Sequence, residues 1–300
     1  MNPPKRGTLA ALLITMRPHQ WIKNLFVLTP LVFAQKLGPA EEWTMEGPVV
    51  QTLTAFVLFC LGSGLVYLLN DLVDKERDKA HPTKRFRPIA SGDLPSKTAA
   101  GALAVGLVLV EIAAFFVSIP LATVLSGYIL LNVGYSFKLK NVIIADIFSI
   151  ALGFLLRVLG GALAADVPVT GWLYTCTFLL ACFLAMGKRR QELRQMGTEG
   201  NKTRKVLEAY SKTLIDRGMI LTGGATIVSY SFYCFSSHAV AQFGTHKLGW
   251  TIPFLLIGFA RFLKLVQTAE DSPTEAMIRD PLFLINLMAW AMVVGGVIYG

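Results

Sequence analysis

Residues 70–78 carry four oxygen-bearing side chains at a spacing suited to binding a cation. Asn70, Asp74 and Asp78 recur every four residues and share one face of a continuing helix, with Asp71 on its flank. Magnesium takes such oxygen ligands, keeps several waters and bridges to phosphate. We therefore predict that all four residues are catalytic and that the three aspartates bind magnesium. The alternative is a solvated helix end whose acids pair with neighbouring basic side chains.

The proline-containing loop at 81–92 follows directly and is strongly basic. Lys84, Arg85 and Arg87 stand beside prolines, which hold the chain extended or turned. Guanidinium groups match phosphate oxygens in a two-pronged geometry. We predict that these three side chains bind a phosphorylated substrate. A contact with lipid headgroups, or a signal for membrane orientation, is the alternative.

A second group of ionisable residues lies between residues 135 and 157. Lys138 and Lys140 come just before Asp146, which stands at or just inside a predicted membrane boundary. Ionisable groups at that depth are costly and usually functional, so we predict that the lysines bind substrate and that Asp146 is catalytic. A structural pair between Asp146 and Lys140 is the alternative. Arg157 follows Asp146 by three helical turns and should point into the bundle, at a substrate phosphate or at a buried carboxylate.

A third group opens the long polar loop that begins near residue 187. Lys188, Arg189, Glu192 and Arg194 lie on a helical turn that leaves the membrane. A basic cluster that stops membrane transfer is the alternative to a functional role. The remainder of the loop, 198–217, is predicted to form a helix that caps the site.

Acidic residues also precede the end of the chain. They are Glu270, Asp271, Glu275 and Asp280. Asp280 stands directly before a proline, which predicts the start of a helix there.

Long apolar helices must position these groups. Hydrophobic residues make up 54% of the chain and charged residues 16%, against roughly 25% charged in soluble domains. About 20 apolar residues cross a bilayer core of roughly 30 Å as a helix. We predict an all-α integral membrane protein, a single domain over 1–300 with nine transmembrane helices and no cleavable signal peptide. The predicted spans are 22–38, 49–70, 99–119, 120–136, 143–163, 171–187, 218–237, 250–267 and 282–299. The third and fourth form a hairpin through the turn at Ser118-Ile119-Pro120.

The basic residues are sorted between alternate loops. Of the 28 Lys and Arg residues, 25 lie in positions 1–24 or in the polar segments 70–98, 137–142, 188–217 and 261–280. The positive-inside rule places these segments and the N-terminus in the cytoplasm, with the C-terminus opposite. The same segments hold most of the acids, which topology does not require. A metal-bridged phosphate site accounts for both signs of charge.

Cysteine and histidine chemistry is not indicated. Cys60, Cys176, Cys182 and Cys234 all fall inside predicted spans, so we expect buried free thiols. The four histidines are scattered, which argues against a structural zinc site.

Two of these motifs resemble the UbiA superfamily of intramembrane prenyltransferases. They are NDxxDxxxD at 70–78 and YSxxLKxxxxxD at 135–146. Within that superfamily the chain is most similar to the branch of decaprenyl-phosphate phosphoribosyltransferases. RPHQWIKN (17–24), HPTKRFRPIASG (81–92), the run from 135 to 161 and GKRRQEL (187–193) carry this closer likeness.

The resemblance implies nine helices around a central cavity with a cytoplasmic active site that opens laterally to lipid. The polar loops 70–98, 137–142, 188–217 and 268–281 would form the active-site face. The implied reaction joins phosphoribosyl diphosphate to a polyprenyl phosphate of the decaprenyl type, releases pyrophosphate and serves the synthesis of arabinan precursors for the cell envelope. Magnesium is the implied cofactor.

The resemblance also assigns residues. The motif at 70–78 would position magnesium and the diphosphate, and Tyr135, Lys140 and Asp146 would complete the site from the other half. Lys23, Lys188, Arg189 and Glu192 are added to the substrate-binding set.

One departure from the wider superfamily bears on the substrate. A second motif of the DxxxD kind is common in members that ionise an isoprenyl diphosphate, but here Val142 and Ile150 stand four residues either side of Asp146. Fewer acids and more basic residues favour a substrate with an extra phosphate, such as a ribose 5-phosphate.

Two other functions stay open. One is an aromatic prenyltransferase that consumes an isoprenyl diphosphate, and the other is a lipid-phosphate carrier or transporter without catalysis. The expected location is the inner (plasma) membrane. Nucleic acid is not an expected partner, and the oligomeric state, a homo-oligomer included, is left open.

Overall fold

The structure is a computed structural model that describes residues 7–38, 40–199, 210–269 and 272–300, with only the backbone for 195–199. These residues form helices and connecting turns, without a strand among them. The chain divides into two compact units. Unit 1 comprises residues 1–140 and 156–168, and unit 2 comprises residues 141–155 and 169–300. That the two units act as a single domain stays a prediction.

Unit 1 is organised around one long apolar helix. Its elements are α1 (Thr8–Met16), a 3₁₀ segment (Pro18–Val27), α2 (Thr29–Phe33), a 3₁₀ turn (Ala40–Trp43), α3 (Pro48–Val73), α4 (Lys75–Lys79), a 3₁₀ turn (Lys84–Phe86), α5 (Pro88–Ser91), α6 (Ser96–Val117), α7 (Ile119–Phe137) and a 3₁₀ turn (Leu139–Asn141). Helix α3 packs against α1, α6, α7 and the first 3₁₀ segment. Gly64 lets α1 approach, because a Cβ there would lie 2.7 Å from the Met16 side chain.

The predicted hairpin is confirmed. Helix α6 ends at Val117, and the Ser118 hydroxyl caps α7 by accepting a hydrogen bond from the Leu121 backbone N–H at 3.2 Å. Pro120 stands in the first turn of α7, where its missing N–H is not needed.

The first predicted span, 22–38, is not a continuous helix. The segment Pro18–Val27 is 3₁₀, and the short α2 follows with Pro30 in its first turn. Proline removes a backbone donor and disfavours a helical residue before it, so an α-helix cannot run through this point. The segment is still held inside unit 1, since a Cβ on Gly161 would lie 1.8 Å from the Val27 carbonyl oxygen.

Unit 2 contains the second half of the chain. Its elements are the first part of α8 (Ala145–Ala165), α9 (Gly171–Glu199), α10 (Lys212–Cys234), α11 (Ser237–Phe243), a 3₁₀ turn (Lys247–Thr251), α12 (Ile252–Thr268), α13 (Pro273–Arg279) and α14 (Pro281–Tyr299). Helix α9 packs along α10, and α12 packs against α14. Phe183 of α9 lies between Phe259 and Phe262 of α12, with ring centroids 4.6 and 5.0 Å away.

Eight of the nine predicted spans correspond to helical elements. Across the described ranges, seven helices are long and apolar enough to cross a membrane. The count is eight if α10 and α11, which are bent by 54°, form one span. The chain is a multi-pass membrane protein with a helical fold, and the predicted count of nine is not reached in the part that the structure describes.

Candidate active site

The acidic motif is helical on both sides of Asp74, which lies between α3 and α4 with φ −90° and ψ 7°. Helix α3 ends at Val73, but the Asp74 N–H donates to the Asn70 carbonyl and the Asp78 N–H to the Asp74 carbonyl, at 2.9 and 2.8 Å. The predicted four-residue alignment is therefore confirmed in the backbone. Asp71 and Asp78 are buried and Asp74 is partly exposed, while Asn70 is half-buried.

Two arginines converge on the buried aspartates. Arg17 Nη2 lies 2.5 Å from Asp71 Oδ1. Arg87 Nη1 lies 3.2 Å from the same oxygen and 2.6 Å from Asp78 Oδ2. These short charge-assisted contacts neutralise carboxylates that burial would otherwise make costly.

Arg17 was missed among the predicted site residues. It ends α1 with a positive φ of 51°, directly before Pro18, and its guanidinium also lies 4.9 Å from the centre of the Tyr67 ring. Its place in RPHQWIKN is the signal that the sequence offers, but the prediction from that motif names only Lys23, which is half-buried.

Asp74 is held by a buried lysine. Lys140 Nζ lies 2.8 and 3.0 Å from the two Asp74 oxygens, although 66 residues separate them, and Lys140 is 4% exposed. Arg77 adds a weaker contact at 3.7 Å from an exposed position. The alternative that Lys140 pairs with Asp146 is wrong, because Lys140 pairs with Asp74.

Two arginines of the basic loop, Arg85 and Arg87, make different contacts. Arg87 turns inward to the aspartates, whereas the exposed Arg85 lies 4.9 Å above the Phe86 ring. Lys84 is half-buried and is the first residue of the 3₁₀ turn Lys84–Phe86.

The donor set fits magnesium in part. Within the described residues no group of three or more His, Cys, Asp or Glu side chains is placed to hold a metal ion. Asp71 and Asp78 do converge on one cationic nitrogen, and magnesium needs only one or two carboxylates when phosphate and water oxygens complete its shell. The chemistry of these oxygens suits the ion.

Arg157 contacts neutral side chains, whereas the sequence predicted a substrate phosphate or a buried carboxylate as its partner. Its Nε donates to Asn24 Oδ1 and its Nη2 to the Tyr128 hydroxyl, both at 2.7 Å, and the guanidinium lies 4.6 Å from the Tyr128 ring centre. Asn24 in turn donates to Ser63 Oγ at 3.1 Å. This buried network ties the 3₁₀ segment to α3 and α7 within unit 1.

Unit 2 holds a separate cluster around Asp146. Asp146 and Arg189 are both fully buried, with Oδ2 and Nε 2.7 Å apart, and Arg189 also pairs with Glu192. Asp146 Oδ1 accepts hydrogen bonds from the Tyr210 hydroxyl at 2.6 Å and from the Ile147 N–H at 2.8 Å. Both oxygens of Asp146 therefore have partners within this cluster, Oδ2 through its ion pair with Arg189 and Oδ1 through hydrogen bonds.

Tyr210 was not among the predicted site residues. Its hydroxyl donates to Asp146 and accepts from the Ile144 N–H at 2.7 Å, where Ile144 has a positive φ of 67°. Burial, and next the hydrogen bond to Asp146, raise the pKa of Tyr210 well above its usual value. Half of the predicted capping helix at 198–217, residues 200–209, lies outside the described residues, as do Glu270 and Asp271.

The other predicted residues are placed as follows. Tyr135 is half-buried near the end of α7, Lys138 is exposed just after α7, and Lys188 is half-buried on α9 one residue before Arg189. Asp280 caps α14 as predicted, accepting from the Phe283 N–H at 2.7 Å, and pairs with Arg261.

Comparison with known proteins gives a consistent result. Residues 26–296 match the sequence model of the UbiA prenyltransferase family. The chain is 33% identical over 308 residues to decaprenyl-phosphate phosphoribosyltransferase of Mycolicibacterium smegmatis, covering 99% of this chain and 95% of that one. It is 32% identical over 306 residues to the protein of the same name from Corynebacterium glutamicum, covering 99% and 89%.

Solved structures share the fold. A UbiA homolog from Archaeoglobus fulgidus bound to GPP and Mg²⁺ has a TM-score of 0.70 at 16% identity, over 97% of this chain and 100% of that chain. A UbiA homolog from Aeropyrum pernix K1 has a TM-score of 0.59 at 12% identity, covering 98% of both chains.

Proposed function

Because the chain belongs to the UbiA prenyltransferase family, we propose that it transfers 5-phosphoribosyl from phosphoribosyl diphosphate to a polyprenyl phosphate and releases pyrophosphate. The names of relatives at 33% and 32% identity over nearly the whole chain support this reaction. We further propose that the loops 70–98 and 188–217 each lie on the cytoplasmic side of the membrane, in a cell with an arabinan-containing envelope.

The observation that carries the proposal is the mixed cluster of unit 1. Three aspartates there contact three basic side chains, Arg17, Arg87 and Lys140, at 3.2 Å or less. A diphosphate and a metal ion bring charges of both signs, so a site that contains both signs can receive them together. A carrier of lipid phosphate alone would need the cations but not the buried acids.

The Asp146 cluster favours a phosphorylated sugar over an allylic diphosphate. Both oxygens of Asp146 are engaged by Arg189, Tyr210 and the Ile147 N–H. Unlike Arg87, whose side chain is 29% exposed, Arg189 is fully buried and has no exposed end with which to leave the carboxylate for a second metal ion. The acid thereby fixes a buried guanidinium rather than a second ion. This observation counts against the aromatic prenyltransferase.

The mechanism follows from the charges of the residues. Magnesium, when bound, supplies Lewis acidity to the departing diphosphate, and Asp71 and Asp78 would hold it, with Asp74 beside them. Arg87 and Lys140 would bind phosphate oxygens as positive charge develops on the ribose, as in other glycosyl transfers, while Arg17 would remain paired with Asp71. The polyprenyl phosphate is already an anion, so it requires orientation rather than a general base. A single displacement inverts the anomeric carbon.

The test is direct. Purified chain in detergent, with radiolabelled phosphoribosyl diphosphate, magnesium and decaprenyl phosphate, should yield labelled lipid with an inverted anomeric centre. Omission of the lipid acceptor is the control. Consumption of an isoprenyl diphosphate with an aromatic acceptor, and no labelled lipid, would identify an aromatic prenyltransferase instead.

Orientation has its own experiment. Lys97→Cys on the basic side should react with a membrane-impermeant maleimide only after cells are opened, whereas Thr245→Cys on the opposite side should react in intact cells. The reverse pattern would contradict the proposed topology.

A further inference from the structure

One nitrogen of Arg87 serves two buried carboxylates. Its Nη1 lies 3.2 Å from Asp71 Oδ1 and 2.6 Å from Asp78 Oδ2. The two oxygens are therefore less than about 6 Å apart, and two oxygens bound to one magnesium ion are at most about 4 Å apart. A small movement of the carboxylates would let a divalent ion replace the nitrogen.

We propose that Arg87 and the metal ion occupy this place in turn, an exchange that rests on the proposed function. In the protein without substrate, the guanidinium neutralises Asp71 and Asp78. When a metal ion arrives with a diphosphate, the ion takes the carboxylates and Arg87 takes phosphate oxygens. The residue then selects for metal and diphosphate together.

The side chain of Arg87 can move while its backbone stays. The Arg87 N–H donates to the Lys84 carbonyl at 3.0 Å, its carbonyl accepts from the Ser91 N–H at 2.8 Å, and Pro88 follows. The Arg87 side chain is 29% exposed, so it has room to turn. Arg17 stays on Asp71 and over the Tyr67 ring, which keeps that acid neutralised during the exchange.

The exchange predicts coupling between the two ligands. A metal ion alone would displace the Arg87 guanidinium into water, where it loses its carboxylate partners, whereas a diphosphate offers that cation new charge-assisted hydrogen bonds. Each ligand therefore strengthens the other by the same factor, because coupling free energies are reciprocal.

The measurement is equilibrium dialysis of purified full-length chain against radioactive Mn²⁺, with equal pyrophosphate in both chambers or with none. For the unaltered chain we expect pyrophosphate to tighten Mn²⁺ binding about tenfold or more, within the usual range of coupling. Arg87→Gln should bind Mn²⁺ alone about tenfold more tightly than the unaltered chain, because it no longer competes. Its coupling to pyrophosphate should fall below about threefold. Lys97→Gln, which removes one positive charge from an exposed side chain of the same unit, should change neither value.

Each outcome decides the matter. If Arg87→Gln binds Mn²⁺ no more tightly than the unaltered chain, the exchange is overturned. If the role of Arg87 were purely structural, its replacement would only lower the affinity for Mn²⁺. If that variant does not fold, the unaltered chain still answers: equal Mn²⁺ affinity with and without pyrophosphate overturns the proposal. The labelled-lipid assay reports separately on the proposed function. Coupling between Mn²⁺ and pyrophosphate without labelled lipid supports the exchange and overturns phosphoribosyl transfer. Labelled lipid without coupling supports phosphoribosyl transfer and overturns the exchange.

Discussion

Replacing Asp146 by asparagine tests how much a buried ion pair stabilises unit 2. Whichever way the amide is turned, its NH₂ group meets an N–H donor, either Arg189 Nε or the Ile147 backbone. One favourable contact becomes a contact between two donors. Arg189, fully buried, also loses the charge that faces it.

The expected loss of stability is about 3 kcal/mol. Removal of one partner from a buried ion pair typically costs 3–5 kcal/mol. The low end of this range applies for two reasons. Glu192 still contacts Arg189, and the amide oxygen of the new asparagine can still accept the hydrogen bond from the Tyr210 hydroxyl. For a chain of this size that loss lowers the unfolding temperature by roughly 6 °C.

Thermal unfolding in detergent, followed by circular dichroism, is the assay. The matched control is Asp216→Asn, because Asp216 also pairs with an arginine of α9, at 2.6 Å, but its side chain is 42% exposed. An exposed pair contributes about 1 kcal/mol or less. The double variant Asp146→Asn with Arg189→Met should recover part of the loss. Equal stability of Asp146→Asn and Asp216→Asn would refute this reasoning. A stable but inactive Asp146→Asn would instead support the prediction that Asp146 is catalytic.

Three further predictions concern single residues. Asp74→Ala should abolish labelled-lipid formation while the helical circular dichroism persists, and near-normal turnover at saturating magnesium would make the motif a solvated helix end. Arg85→Gln should raise the Michaelis constant for phosphoribosyl diphosphate several-fold, and a change confined to the lipid dependence would identify a headgroup contact. The hydrogen bond from Arg261 lowers the pKa of Asp280, so its contribution to stability is present above its ordinary pKa of 3.8 and is lost as pH falls below that value. Asp280→Asn should therefore reduce the loss of unfolding free energy between neutral and acidic pH, by less than about 1 kcal/mol. An unchanged dependence of the unfolding free energy on pH would contradict this.

Local patterns predicted what depends on neighbours along the chain. The alignment of Asn70, Asp74 and Asp78 follows from helical periodicity, and the caps at Ser118 and Asp280 follow from residue type and the proline beside them. The apolar stretches likewise located eight helical spans, six of them to within three residues at each end, but α9 continues beyond residue 187 to Glu199 and α10 begins at Lys212 rather than at residue 218.

Partners distant in sequence could not be predicted. Arg17 pairs with Asp71 across 54 residues, and Tyr210 bonds Asp146 across 64 residues. Each acid had several basic or polar candidates at similar depth, and tertiary packing selects among them. Asn24 belongs to the same class, since a polar residue in a predicted span gave no sign of the arginine that it holds.

The network of Asn24 and Arg157 has a consequence for biosynthesis. The two residues are 133 positions apart, and ribosomes add roughly 5–20 residues per second. The polar 3₁₀ segment therefore emerges on the order of ten seconds before the arginine that satisfies it. Until then we expect it to wait at the bilayer surface beside the translocon, because an unsatisfied amide is costly in lipid. The N-terminal segment would thus be among the last parts of unit 1 to settle, although it is the first to be made.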